Sequence, residues 1–175
     1  MGLFFVVWLV LEYLRIGSRP ARLVRAVASP GPAQPGSERG EMMPSQQVTL
    51  PDMPVMYVES PTGLAGASDA FDRLEARFPS LRGRKFYGTF QPPAGPYRAC
   101  TAIGPGDDAT ALGLPTWVIP GGQYRRRKLL DWQTRMKEIG EAFRSMAEEG
   151  ERDASRPSIE FYRSEKDLVL FLPTK

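Results

Sequence analysis

The alternation of apolar and polar positions writes one pattern twice along this chain. A strand-like run at Val55 to Val58 precedes a helix-like run from Ser68 to Phe78, and two strand-like runs follow, Arg84 to Phe90 and Tyr97 to Ile103. The second pass gives Thr116 to Arg125, Asp131 to Ala147, Ser158 to Arg163 and Asp167 to Leu172. Matching elements lie about 60 to 75 residues apart, and a β-α-β-β order repeated at such an offset predicts a single α+β domain with a pseudo-two-fold axis. The expected form is an antiparallel sheet with helices packed on it and a central ligand groove between the halves.

The second helix carries the clearest period. Trp132, Met136, Ile139, Phe143 and Met146 fall on one face, while Arg135, Lys137, Glu138, Glu141 and Arg144 take the other. Asp131 is the expected N-cap and Gly150 the stop. In the first helix Ser68 is the expected cap, Phe71, Leu74 and Phe78 form the stripe, and Pro79 ends it. Two helices cover one face of a sheet, so the other face must be wet or must close around something. The run from Gly104 to Gly113 lacks a phosphate-loop pattern, its Asp107 and Asp108 would repel phosphate, and it reads as the connector between the halves.

The sequence divides at about residue 43. Gly2 to Leu14 is apolar apart from Glu12, arginines follow up to Arg25, and Ser29 to Gly40 is rich in Pro, Gly and Ser, as linkers are. A membrane span needs about 20 apolar residues and this run has about 13. Arginines placed after the apolar run rather than before it argue against a signal peptide. Residues 1–43 are therefore read as an N-terminal extension, with the true start expected near Met43. An interfacial membrane helix built on Phe4, Phe5 and Trp8 is the alternative, so membrane contact is expected only if residues 1–25 belong to the working protein. Residues 44–175 are the domain, expected in the cytoplasm.

Charge and composition then exclude several classes. The extension holds five of the 23 basic and three of the 20 acidic side chains, leaving 18 and 17 for the domain, which is nearly neutral and unlike a nucleic-acid module. The chain has no histidine, which removes Ser-His-Asp and Cys-His catalysis and most zinc sites. Its single cysteine, Cys100, sits in an apolar strand run and reads as a small core residue. No metal or cofactor is expected.

The last third resembles the GyrI-like small-molecule-binding domain, also called the AraC effector-binding domain, which is related to the SOUL haem-binding fold. The residues that carry the resemblance are Val118-Ile-Pro-Gly-Gly-Gln-Tyr124 ahead of the long helix, Ile159-Glu-Phe-Tyr162, and Leu168-Val-Leu-Phe-Leu-Pro-Thr-Lys175. Met53-Pro-Val-Met-Tyr57 and Arg84-Lys-Phe-Tyr-Gly-Thr-Phe90 fit more loosely. The resemblance implies two tandem β-α-β-β halves, a hydrophobic groove, and a buried glutamate at Glu160 that attracts cationic aromatic ligands. Tyr162 lies two residues on, hence on the same strand face. Trp117, Tyr124, Trp132, Tyr87 and Phe90 are the candidate walls.

Where many members of that family continue with apolar residues, this chain has Arg125-Arg-Arg-Lys128. Alternation puts Arg126 and Lys128 on one face with Tyr124, and Arg125 and Arg127 on the other. The run is expected to be a solvated strand end; an arginine that neutralises Glu160 or selects an anionic ligand is the alternative.

The expected function is a stand-alone binder of a lipophilic, cationic aromatic small molecule that is not transformed. The 40 or so residues ahead of the domain show no helix-turn-helix pattern, so direct contact with nucleic acid is not expected. Two alternatives stay open. One is hydrolysis of a strained electrophile, with Glu160 activating water and Tyr87 or Tyr162 supplying a proton. The other is modulation of DNA gyrase or another topoisomerase through protein contact, which the resemblance alone suggests.

Overall fold

The computed structural model describes residues 44–92 and 95–175; the extension assigned to residues 1–43, and with it the membrane alternative, lies outside the described residues. Among the described residues no helix is long and apolar enough to cross a membrane.

Among the described residues eight strands and two α-helices follow in the order β1 (Gln46–Leu50), β2 (Met53–Ser60), α1 (Ala67–Glu75), β3 (Phe86–Phe90), β4 (Tyr97–Ala102), β5 (Thr116–Ile119), β6 (Gly122–Leu130), α2 (Met136–Glu148), β7 (Ser158–Tyr162) and β8 (Asp167–Pro173). The strands form one antiparallel sheet ordered β1-β6-β8-β7-β3-β4-β2-β5. Exchanging the first four strands with the last four reverses that order onto itself, so the fold is α+β with the expected two-fold repeat. The axis passes between β3 and β7, where Gly88 pairs with Glu160. Each half contains one more strand than the sequence pattern predicts. β1 and β5 are short outer strands, and each pairs across the axis with a strand of the other half.

The chain length between strands forces the sheet to curl. Only Pro51 and Asp52 join β1 at one edge to β2 beside the other edge, and only Pro120 and Gly121 join β5 to β6. Two residues reach roughly 10 Å, so the two edges must approach each other at this end. The crossovers touch. Asp52 Oδ1 accepts the Gly121 N–H at 2.7 Å, and a Cβ on Gly121 would stand 2.6 Å from the Pro51 carbonyl carbon. A side chain there would push the sheet open.

The face left uncovered by the helices therefore closes on itself. One apolar cluster gathers residues from all eight strands, among them Val55, Tyr87, Cys100, Ile119, Tyr124, Ile159, Val169 and Phe171. Both helices sit on the opposite, convex face. α1 buries Ala67, Ala70, Phe71 and Leu74, and α2 buries Ile139, Ala142 and Met146.

The helix starts differ from the expected ones. A 3₁₀ turn at Gly63–Gly66 leads into α1 with Gly66 at the cap, which puts Ser68 inside the first turn. The expected helix from Asp131 breaks in two, a 3₁₀ turn at Trp132–Thr134 and then α2 capped by Arg135. Asp131 adopts φ 49°, the only left-handed non-glycine among the described residues, because the chain must reverse there to seat Trp132 under the helix. Trp132 is fully buried, and its indole N–H donates to the Ser164 carbonyl at 3.2 Å. The Gly104–Gly113 connector is an irregular loop fastened by Asp107, which accepts from the Gly104 N–H at 2.7 Å and pairs with Arg84 at 2.7 Å. That pairing holds the Asp107 carboxyl below the usual carboxylate range.

Candidate functional site

The site grows from the β3–β7 pair at the pseudo-two-fold axis. Alternation along β7 sends Ile159 and Phe161 to the concave core and Ser158, Glu160 and Tyr162 to the helix face. Across from Glu160 stands Gly88, whose missing side chain leaves room for the Tyr97 phenol to reach over β3 from β4. Tyr97 and Tyr162 both donate their hydroxyls to Glu160 Oε2, at 3.0 and 2.8 Å. Tyr97 is 1% exposed. Tyr162 is wedged between Phe71 of α1 and Trp132, with edge-to-face ring separations of 5.2 and 5.3 Å. Packing from both halves thus fixes the phenol that orients the carboxylate.

This carboxyl opens into a cavity of about 100 Å³ between the helices. Leu64 ahead of α1 forms one wall, Ile139, Gly140, Phe143 and Ala147 of α2 form the other, and Phe90, Ser158, Glu160 and Leu172 form the floor. Arg152, whose Nη2 donates to Ser158 Oγ at 3.5 Å, stands at the rim. Burial raises the Glu160 pKa, and the two phenol donors pull it partly back. Burial beside the carboxylate pushes both tyrosines well above their ordinary value, so they stay protonated donors.

The residues expected around Glu160 divide between the two faces. Tyr162 touches it, Phe90 lies on the cavity floor, and Trp132 buttresses Tyr162 from below. Tyr87, Trp117 and Tyr124 are on the concave face, where Tyr87 stacks on Phe161 at 4.9 Å and Tyr124 donates to the Pro120 carbonyl at 2.7 Å. As a wall beside Glu160 or a proton donor to its substrate, Tyr87 is displaced by the strand pleat, since it is one residue off the register of Gly88. Tyr97 was missed. Its signal is Gly88, a glycine inside an apolar strand run, which marks the close approach of another group.

Among the described residues Glu160 is bonded by Tyr97 and Tyr162 rather than by Arg98 or an arginine of the Arg125–Lys128 run. Arg98 pairs with Glu59 at 3.0 Å. Arg125 and Arg127 are not a solvated strand end: they are 9% and 7% exposed beneath the end of α2. There Arg127 pairs with Glu149 at 2.5 Å, and Arg125 donates to the Glu149 carbonyl at 3.0 Å. Their positions in the repeat are those of Val58 and Met56, so the second half uses guanidinium stems and an ion pair where the first uses apolar packing. Arg126 points to the concave face. Among the described residues no group of three carboxylate or thiol side chains is placed to hold a metal ion.

No family model matches the chain, and no curated protein matches it. Among solved structures it is similar to an integron cassette protein from the mobile metagenome of Vibrio cholerae, at 12% identity and a TM-score of 0.60, over 77% of this chain and 97% of that one. A hydrolase from Listeria innocua aligns at 14% identity and a TM-score of 0.50, over 78% and 94% of the two chains. SAV2435, bound to tetraphenylphosphonium, aligns at 16% identity and a TM-score of 0.48, over 76% and 94%. At these identities the likeness to the first two is one of fold alone.

Proposed function

We propose that the protein takes up a lipophilic cationic aromatic small molecule in the cavity between α1 and α2, with Glu160 as its counter-charge and without transforming it. The observation that supports this is the carboxyl of Glu160, held by two phenols in an apolar cleft where burial raises its pKa. Such a group is short of solvation. A ligand that brings positive charge on an apolar frame gains the ion pair, while Leu64, Phe90 and Phe143 accept its rings. A volume of about 100 Å³ admits a single ring, so a larger ligand requires α2 to move away from Leu64.

The test uses two aromatic dyes of similar size, one cationic and one neutral. Glu160→Gln should weaken the cation by about 1 to 3 kcal/mol and leave the neutral dye nearly unchanged. Equal losses for both would reduce Glu160 to a structural role.

A second reading, hydrolysis, is favoured by one feature: a carboxyl of raised pKa in hydrogen-bond contact with two protonated phenols is an acid–base set. In it Glu160 activates water and Tyr97 or Tyr162 supplies the proton. Turnover of a strained cyclopropane or ester electrophile that disappears in Glu160→Gln would put this reading first.

A further inference from the structure

The concave face holds a second groove, on the far side of the sheet from Glu160. Its volume is about 340 Å³, and it is lined by Val48, Leu50, Phe161, Val169 and Phe171 with Arg126 and Arg163 at its border. It exists because the two halves of the repeat differ. The strand pairings and the matching crossovers Leu50-Pro51 and Ile119-Pro120 align Val48 with Trp117, Val169 with Arg98, and Arg126 with Tyr57. Around β2, β4 and β5 those positions fill themselves: the Arg98 guanidinium lies 4.7 Å over the Trp117 ring and 5.0 Å over Tyr57, and Glu59 neutralises it. Around β1, β6 and β8 the matching positions hold Val48 and Val169, and the small side chain of Val48 leaves a groove open beside Phe161.

Its charge is equally one-sided. Arg126 and Arg163 form no ion pair among the described residues, and Lys128 on the same strand face is already paired with Asp167 at 3.0 Å. An open apolar trough bordered by two guanidiniums, with no carboxylate in its lining, fits an apolar body that ends in an anionic head. We propose that this groove binds a lipophilic monoanion, a carboxylate or phosphate-type amphiphile whose head lies between Arg126 and Arg163 and whose hydrocarbon lies along Val48, Leu50 and Phe161. The site is separate from the cavity at Glu160 and does not depend on the reading of that cavity.

The probe is decanoate below its micellar range, titrated calorimetrically into the full chain, with decanol and decyltrimethylammonium as neutral and cationic controls. Decanoate should bind at least about tenfold more tightly than either control, as expected where charge-assisted bonds distinguish ligands of equal apolar area. The Arg126→Gln/Arg163→Gln double variant should lose that preference while keeping its melting temperature. Val48→Trp, which supplies the ring the other half carries, should abolish binding, and Glu160→Gln should leave it unchanged. The proposal is overturned if decanoate does not bind, if decanol binds equally well, or if the double arginine variant keeps the wild-type affinity. Decanoate binding lost in Glu160→Gln would assign the ligand to the other cavity and also overturn it.

Discussion

Gly88 and Glu160 face each other across the β3–β7 pair at the pseudo-two-fold axis, and the absence of a side chain on one makes the geometry of the other. A Cβ on Gly88 would stand 2.7 Å from Glu160 Oε2 and closer still to the Tyr97 hydroxyl. Gly88→Ala is therefore expected to part the phenol from the carboxylate. The expected cost is about 1 to 3 kcal/mol of stability, with loss of cationic dye binding. Thermal melts and dye titration of this variant check both, and an unchanged affinity would contradict the role given to the Tyr97–Glu160 contact.

The raised pKa of Glu160 sets the sign of two pH dependences. In the free protein the buried carboxyl contributes most to stability while protonated in both states, below the ordinary glutamate value, and that contribution is lost as pH rises through the raised value. In the proposed binding mode the cation needs the carboxylate, so affinity should fall as pH drops through the same raised value. Titrations between about pH 4 and pH 8, a range spanning the ordinary glutamate value and the region above it, should show this slope in the wild type. Glu160→Gln should be flat, and a flat wild type would remove Glu160 from ligand binding.

Tyr97→Phe removes one of the two donors that favour the charged form. The midpoint of that pH dependence should move upward, and stability should change by about 1 kcal/mol, the scale of one buried hydrogen bond. A downward shift would mean that Tyr97 acts on Glu160 through packing alone.

Glu149 is expected to be the fastening point of α2. Its carboxylate pairs with Arg127, and it also accepts from the Ser45 hydroxyl ahead of β1. Glu149→Ala removes the carboxylate that pairs with the buried Arg127 guanidinium and should cost about 1 to 3 kcal/mol, less than a fully buried pair because Glu149 is partly exposed. Arg125→Met/Arg127→Val, which installs the residues of the first half, should recover much of that loss in the Glu149→Ala background. Chemical denaturation of the single, double and triple variants measures it.

Cys100 is fully buried and its thiol is pushed up to about 12 by burial. A thiol that is protonated and shielded reacts only when the sheet opens. Labelling of the native protein by a maleimide should be limited by unfolding and should accelerate in denaturant. Rapid labelling of the folded protein would place Cys100 outside the concave core.

The sequence by itself determined what a local period can carry. The spacing of Trp132, Ile139, Phe143 and Met146 marks the face of the second helix, although its α-helical part starts only at Met136. Alternation along Ile159-Glu-Phe-Tyr puts Glu160 and Tyr162 on one side, and repetition of the whole pattern reveals the two halves. Tertiary structure decided what depends on register between strands. A one-residue step in the pairing of β3 with β7 moves Tyr87 to the concave core and brings Gly88 to Glu160, and no period in either strand specifies that step. Tyr97 reaches the carboxylate from two strands away, across a glycine whose meaning appears only once its neighbours are known. Likewise Arg125 and Arg127 look like a solvated strand end until α2 lies over them, because burial belongs to the pair of surfaces in contact and not to either segment alone.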